Sequence, residues 1–235
     1  MLDWMIIVVF ALFVTVESTA MIARYAGWSI GSVSLGYSLH NAILALNRFL
    51  GFLIGPLIGF KVDHGLQSSE LINLALKALV LATVGTSLVY VMWGAIQQSF
   101  SSVLHQIRKS GYSIQSFMRF KLHQSNPFSP LRGSLLTSFF LSSAITTGLY
   151  VSVAFVLNLV AIYNFSYRGS ILQLTGVVTG IGSILLNFYT NPHLAVSEEK
   201  GCADDGYFSV FAGKIVGMAL VAPVLMTVVW LLFRK

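Results

Sequence analysis

A few polar side chains stand within or at the edges of long hydrophobic segments, where each could bind a ligand or exchange a proton. They are Glu17, Arg24, Asn41, Arg48, Arg168 and Lys214. Placing a charged side chain in hydrocarbon costs about 2.5–3.5 kcal/mol on insertion scales, so such residues are candidates for function. Guanidinium groups bind phosphate oxygens in a bidentate manner, and a desolvated Glu carboxyl can exchange a proton near neutral pH. The set predicts a polar cavity in which arginines hold a phosphate and Glu17 exchanges a proton.

The same residues also have simpler structural interpretations. Glu17 and Arg48 would form a structural ion pair between the first two helices. The long side chains of Arg24, Lys77 and Lys214 would extend to the membrane surface, because their apolar stems tolerate hydrocarbon. Glu17 and Arg24 share a helix face but lie about 10 Å apart along the axis, so each needs a partner elsewhere. The sequence leaves both interpretations open.

The composition indicates the medium in which these residues lie. Of 235 residues, 56% are hydrophobic and only 9% are charged, whereas soluble domains are about 25% charged. A spanning helix needs about 20 apolar residues, so the chain has room for several. These numbers predict an all-α integral membrane protein with a single transmembrane domain. Cys202 is the only cysteine, which excludes an internal disulfide.

Hydrophobic segments separated by polar residues predict about six transmembrane helices, at roughly 4–25, 33–61, 70–105, 134–166, 169–190 and 206–233. The first has no Lys or Arg ahead of it, so we expect it to be retained as a span. Ser69 is expected to cap the third helix, with Glu70 in its first turn. Asn191-Pro192 is expected to end the fifth, because the residue before proline avoids the helical conformation.

The third connection, 106–133, is basic and should lie in the cytoplasm. It contains Arg108, Lys109, Arg119, Lys121 and Arg132. This orientation places the N-terminus outside. Apolar residues of 114–122 fall on one helical face, which predicts an amphipathic helix in the headgroup layer, held by anionic lipids.

Pairs of glycines four residues apart indicate helix faces that allow close approach in lipid. They are Gly51, Gly55 and Gly59 in the second helix, Gly176 and Gly180 in the fifth, and Gly213 and Gly217 in the sixth. Such faces serve packing within the chain or a homodimer.

Several chemistries lack their sequence patterns. No glycine-rich phosphate loop precedes a Lys-Ser/Thr pair, and no HExxH or other metal-ligand spacing occurs. We therefore expect no ATPase, no metal, no cofactor and no catalytic residue. The basic residues suit anionic lipid or an anionic substrate rather than a nucleic acid, so the chain is predicted to move or bind a ligand.

Segments from several predicted helices share their residue order and spacing with one known family. They are Glu17-Ser18 with Arg24 and Ala26-Gly27, SLGYSLHNAILALNR at 34–48, GPLIGFKVD at 55–63, LATVGT at 81–86, and Tyr167-Arg168 followed by LTGVVTGIGSILL at 174–186. Together they resemble the Amj family of bacterial lipid II flippases. The likeness covers most of the chain except the basic third connection.

The resemblance implies a multi-pass protein of the bacterial cytoplasmic membrane that moves undecaprenyl-pyrophosphate-linked muropeptide across it for peptidoglycan synthesis. The residues that match the family's pattern are Glu17, Arg24, Asn41, Arg48 and Arg168. Two positions depart from the pattern: Asn191-Pro192 stands in place of Asp-Pro, and Lys214 in place of Arg. Both departures change charge or fork geometry.

Three functions follow as hypotheses. The first is a lipid II flippase without its own ATPase, with Arg24, Arg48, Asn41, Arg168 and Lys214 binding substrate and Glu17 as the coupling group. Its headgroup would occupy an open groove or a cavity between two protomers. The second is a membrane enzyme acting on polyprenyl phosphates, which would need an acidic or His-bearing cluster that only Asp63-His64 approaches. The third is a noncatalytic assembly subunit, with Glu17 and Arg48 as a structural pair.

Overall fold

A computed structural model of the chain describes residues 1–111 and 129–234, and the secondary structure of these residues is helical, with no strand among them. The helices are α1 Leu2–Ser29, α2 Val33–Asp63, α3 Ser68–Val91, α4 Trp93–Ser110, α5 Thr137–Tyr163, α6 Arg168–Leu185, α7 Asn191–Glu199 and α8 Ala203–Phe233. A 3₁₀ turn, Phe165–Tyr167, precedes α6. A π-helical turn, Leu186–Thr190, joins α6 to α7, and a second, Gly217–Val221, lies within α8.

Five helices within the described residues are long and apolar enough to cross a bilayer: α1, α2, α3, α5 and α8. This confirms the prediction of an all-α, multi-pass membrane protein. The 18-residue helix α6 begins beside the C-terminal end of α2, where Arg168 contacts Gly59, and leads to Asn191 beside Arg24 of α1. Its place as a sixth span stays a prediction.

Interactions between distant segments define the two ends of the bundle. At one end, called the Asp63 end, Lys61 pairs with Asp3 and the Tyr163 hydroxyl lies 2.9 Å from Ser68 Oγ. The ring of Phe233 stacks on Tyr163 there. Both chain termini therefore lie at the Asp63 end.

At the opposite end, called the Arg24 end, Arg24 pairs with Glu198, and the Tyr25 hydroxyl donates to Asp204 Oδ1 at 2.7 Å. These contacts join the last turns of α1 to α7 and to the start of α8.

The predicted third helix, 70–105, is in fact two helices that meet at Met92. The backbone N–H of Gly94 donates to Ser129 O at 3.0 Å, and the Tyr90 hydroxyl donates to Leu131 O at 2.7 Å. A Cβ atom on Gly94 would lie 2.1 Å from Ser129 Oγ, so a larger residue at this position would require the serine side chain to turn away. The Gly94 N–H would donate to the carbonyl four residues earlier in a continuous helix, and here it donates to Ser129 instead. The second piece, α4, buries one face that includes Phe100 and Leu104 and exposes polar residues on the other.

Two smaller predictions of helix boundaries are also corrected. Gln67, not Ser69, caps α3, and Glu70 closes a reciprocal capping box with it. Asn191-Pro192 does not end the helical path, because proline in a first turn needs no hydrogen-bond partner and the π-helical turn before it absorbs the change in register. The predicted interfacial helix at 114–122 lies outside the described residues.

The core consists of two apolar clusters with a polar layer between them. The cluster toward the Asp63 end includes Phe10, Phe155 and Met218, and the cluster toward the Arg24 end includes Trp93 and Tyr207. The residues of the polar layer come from α1, α2, α3 and α8: Glu17, Ser18, Asn47, Arg48, Thr86 and Lys214. Hydrogen bonds connect this layer across helices, including Ser18 Oγ to Thr86 Oγ1 at 3.3 Å. Polar side chains from four helices therefore meet in the middle of the bundle.

Two glycine contacts hold helices at backbone distance. Gly27 and Gly36 press α1 against α2, and a Cβ atom on Gly36 would lie 2.6 Å from Gly27 Cα. Gly213 and Gly217 of α8 pack on backbone carbonyls of α5 at Phe140 and Ala144.

The other predicted glycine faces behave differently. In α2, Gly51 contacts the Phe13 ring, but a Cβ atom on Gly55 or Gly59 would meet no atom of the described residues within 4 Å. The surroundings of Gly176 and Gly180 lie outside the described part of the chain.

Candidate functional site

A cavity of about 410 Å³ opens beside the polar layer, between α1, α2, α5 and the turn before α7. We call it the central cavity. Its apolar wall includes Phe13, Met21 and Leu44, and its polar lining consists of Glu17, His40, Asn41, Asn47, Arg48, Tyr150, Thr190 and Asn191. Three of the predicted site residues, Glu17, Asn41 and Arg48, thus share one cavity.

Glu17 forms an ion pair across the bundle, but with a different partner from the one predicted. Its Oε1 lies 2.8 Å from Lys214 Nζ, and the side chain of Lys214 is only 5% exposed. Lys214 therefore does not extend to the membrane surface. The structural pair between Glu17 and Arg48 does not form, because Lys214 takes the place of Arg48 beside the carboxylate.

Arg48 lines the central cavity together with Glu17 but takes no part in the Glu17–Lys214 pair. Its side chain is exposed, and it makes no hydrogen bond or ion pair with any described residue. Asn41, one heptad earlier on α2, is likewise exposed and has no hydrogen-bond partner among the described residues. A guanidinium group and an amide on one face are therefore available to a ligand.

Among the residues that line the central cavity, three buried polar atoms have no hydrogen-bond partner in the described part of the chain: His40 Nδ1, Asn47 Oδ1 and Thr190 Oγ1. The Asn47 amide is held in place by its Nδ2, which donates to Phe13 O at 2.9 Å. Leaving a buried polar group unpaired costs about 1–3 kcal/mol, and these three atoms are closed to solvent, so a ligand or water would reach them only after side chains of the cavity wall move. Sequence reasoning assigned no role to these residues, since their types are common and only the fold brings them together.

Arg24 is placed away from the central cavity, in a fully bonded cluster at the Arg24 end. Its Nε and Nη2 donate to the two oxygens of Glu198, at 2.9 and 3.3 Å, and Nη1 donates to Asn191 Oδ1 at 3.3 Å. Glu198 also accepts a bond from the Tyr207 hydroxyl at 2.6 Å, and its backbone carbonyl accepts one from Trp28 Nε1. Substrate could reach Arg24 only by displacing a resident carboxylate.

A second cavity, of about 540 Å³, lies beside Arg24 and is lined by Tyr37 of α2 and by Pro192 and Glu198 of α7. Asn191 lines this cavity and the central cavity alike. The bonds from Arg24 to Asn191 thus hold the wall between the two spaces.

Arg168 lies at the Asp63 end, where it pairs with Asp63 and donates to Gly59 O at 3.1 Å. It lines a third cavity of about 380 Å³ with the open surface of Gly55 and Gly59. Asn158, which is buried, also lines this space, and its Oδ1 has no partner.

The three cavities follow one another along α2. The first is lined by residues between Val33 and Tyr37, the central cavity by residues between His40 and Arg48, and the third by residues between Gly55 and Asp63. Each has one arginine, and only the arginine of the central cavity lacks a resident carboxylate among the described residues. The predicted site residues therefore form a row of positions rather than a single cluster.

The described residues hold no group of three or more His, Cys, Asp or Glu side chains that could bind a metal ion. Comparison of the chain with protein-family models, with curated proteins and with solved structures gives no match.

Proposed function

We propose that the protein moves a lipid-linked diphosphate, such as the peptidoglycan precursor lipid II, across the bacterial cytoplasmic membrane without an ATPase of its own. The observation that carries this proposal is the available guanidinium of Arg48 in a cavity within the membrane-spanning bundle. An exposed arginine at this depth is costly unless it serves an anion that enters the bilayer region.

The charge balance of the central cavity supports an anionic ligand. The Glu17–Lys214 pair is neutral as a whole, so Arg48 adds a net positive charge. Guanidinium groups match phosphate oxygens geometrically. The exposed amide of Asn41, which has no hydrogen-bond partner among the described residues, adds hydrogen-bonding capacity for the rest of the headgroup.

The size and position of the cavities support a groove mechanism. A cavity of about 410 Å³ is within the size range of small-molecule sites, so it fits a diphosphate with an adjoining sugar but not a disaccharide-peptide. The remainder of the headgroup and the prenyl chain would lie outside, along the row of cavities beside α2. The resemblance of α1, α2 and α6 to lipid II flippases agrees with this use of the site.

The decisive experiment is reconstitution of the purified protein in liposomes with fluorescent lipid II and a membrane-impermeant quencher of the headgroup. We expect the wild type to increase the quenched fraction, and Arg48→Ala and Glu17→Gln to abolish the increase. Because Glu17→Gln leaves the buried Lys214 ammonium unpaired, the folded fraction of both variants in the liposomes is measured beside transport. Arg234→Ala, at an exposed position at the end of α8, is the matched control and should translocate like the wild type.

The same assay separates the other hypotheses. Phosphate release from the lipid would identify an enzyme acting on polyprenyl phosphates. Neither translocation nor chemical change would favour an assembly subunit. Normal transport by both cavity variants would show that the central cavity is not the site.

A further inference from the structure

We infer that the central cavity loads a proton on Glu17 together with the anionic headgroup, so that each ligand increases the affinity for the other. This inference rests on the proposed function, because it assumes that an anion binds beside Arg48. It adds the identity of the coupled ion and the sign of the coupling.

The Glu17 carboxylate lies between Lys214 and the central cavity. It lines the central cavity on one side and accepts a hydrogen bond from Lys214 Nζ at 2.8 Å on the other. Lys214 does not line the cavity and is 5% exposed. The carboxylate therefore stands between a buried ammonium and the space that a ligand would occupy.

The protonation state of Glu17 determines the charge that an entering anion meets. With Glu17 ionised, the near wall presents a carboxylate that cancels Lys214, and only Arg48 attracts the anion. With Glu17 protonated, the charge of Lys214 behind the carboxyl is no longer cancelled, and it adds to that of Arg48 in the cavity lining. Because charges interact more strongly away from bulk water, this change of one charge alters anion affinity substantially.

Few charged or titratable groups of the described residues surround Glu17. The groups that face it are Lys214 from α8, Arg48 and His40 from α2, and Tyr150 from α5. From α3 the neighbouring polar side chain is Thr86, which bonds Ser18 and carries no charge. Arg24, two turns further on α1, is already bonded to Glu198. Glu17 is therefore the sole acid among these groups, and His40 is the one imidazole.

Binding of the proton and binding of the anion affect each other equally. If a proton on Glu17 strengthens anion binding, then a bound anion strengthens proton binding by the same factor. Binding of the headgroup must accordingly draw a proton from solution. Glu17→Gln carries the neutral form permanently and should remove this linkage.

The test is calorimetric titration of farnesyl pyrophosphate, a prenyl diphosphate, into the full-length protein in lipid nanodiscs. Two buffers of different ionisation enthalpy report the number of protons taken up. For the wild type we expect net uptake, and affinity higher at pH 6 than at pH 8 by on the order of tenfold. For Glu17→Gln we expect high affinity at both pH values, and less uptake than in the wild type. Comparing the two proteins removes the contribution of the probe's own protonation.

Two further variants keep the result specific. Glu70→Gln removes an exposed carboxylate at the Asp63 end, and it should retain the uptake and the pH dependence. His40→Gln tests the other titratable side chain of the cavity: loss of the proton uptake in this variant together with its retention in Glu17→Gln would assign the proton to His40 and overturn the inference.

The remaining outcomes separate this inference from the proposed function. Equal proton uptake by the wild type and Glu17→Gln would overturn the inference and leave the anion site in place. Absence of probe binding by the wild type at both pH values would overturn both.

Discussion

Glu17 and Lys214 stand 197 residues apart in the sequence, yet the fold places them 2.8 Å from each other. Sequence reasoning selected both residues because charge inside a hydrophobic segment is costly. It paired Glu17 with Arg48 instead, since those two lie on consecutive helices. Only the packing of α8 against α5 and α1 reveals which cation reaches the carboxylate.

The buried ammonium of Lys214 predicts a clear effect on stability. Lys214→Met leaves the Glu17 carboxylate without its counter-ion, and breaking a buried pair costs about 3–5 kcal/mol. Because Glu17 is 19% exposed, we expect the lower end, about 3 kcal/mol. Unfolding in mild detergent, followed by tryptophan fluorescence, measures the loss. The double variant Glu17→Gln with Lys214→Met should recover most of it, and a loss unchanged in the double variant would contradict the pairing.

Glu198 is the residue that sequence reasoning missed most clearly. It falls between the predicted helices at 169–190 and 206–233, and the sequence therefore assigned it no role. The chain instead continues as α7 and carries this carboxylate to Arg24. A helix end predicted from proline alone does not distinguish a stop from a first turn.

The Arg24 cluster predicts the cost of removing its carboxylate. Glu198→Ala leaves a buried guanidinium without an anion and removes the acceptor for Tyr207, so we expect a loss of about 3–5 kcal/mol in stability. Glu199→Ala, its exposed neighbour, should change stability by less than about 0.5 kcal/mol. Thermal denaturation of the two variants side by side makes the comparison, and equal melting temperatures would refute the structural role of the cluster.

At the scale of elements, the glycines of α2 predict opposite outcomes for the same substitution. Gly36→Ala places a Cβ atom 2.6 Å from the backbone of Gly27, so α1 and α2 must separate at a cost of about 1–3 kcal/mol. Gly55→Ala meets no atom within 4 Å, and it should be neutral or slightly stabilising because alanine favours helix. Denaturation midpoints test both substitutions, and a stable Gly36→Ala protein would contradict the close packing.

The open surface at Gly55 and Gly59 bears on the homodimer, which stays a prediction. If a second copy packs there, Gly55→Leu should reduce the dimer fraction measured by light scattering in detergent. A fully active particle with the mass of one chain would show that the homodimer prediction is wrong.

Hydrophobic segments predicted the helices well, and failed where a polar contact from elsewhere in the chain decides the boundary. Residues 70–105 give no proline and only mild polarity after Val91, so a single long helix was expected. At the break the chain contacts Ser129 and Leu131, near the end of the third connection, through Gly94 and Tyr90. A contact between residues so far apart in the chain produces no pattern in the sequence around Met92 from which the break could be predicted.

At the scale of the whole molecule, the bundle predicts which loops share a side of the membrane. Ser69, at the start of α3, and Lys200, after α7, lie at opposite ends and are exposed. In a Cys202→Ser background, a membrane-impermeant maleimide on intact cells should label Ser69→Cys but not Lys200→Cys. Permeabilised cells should show both labels. Labelling of both from outside would contradict the bundle, and the reverse pattern would invert the predicted orientation.

The backbone contact between Gly27 and Gly36 fixes the start of α2 against α1, so any tilt of α2 would pivot about this point. Arg48 is 12 residues beyond Gly36 and Asp63 is 27 residues beyond it, which corresponds to lever arms of about 18 and 40 Å at 1.5 Å per residue. A tilt of about 10° pivoting on the glycines would move Arg48 by about 3 Å and Asp63 by about 7 Å. Such a tilt would therefore displace α2 most at the Asp63 end of the bundle and least at the Arg24 end, where the two glycines hold it against α1.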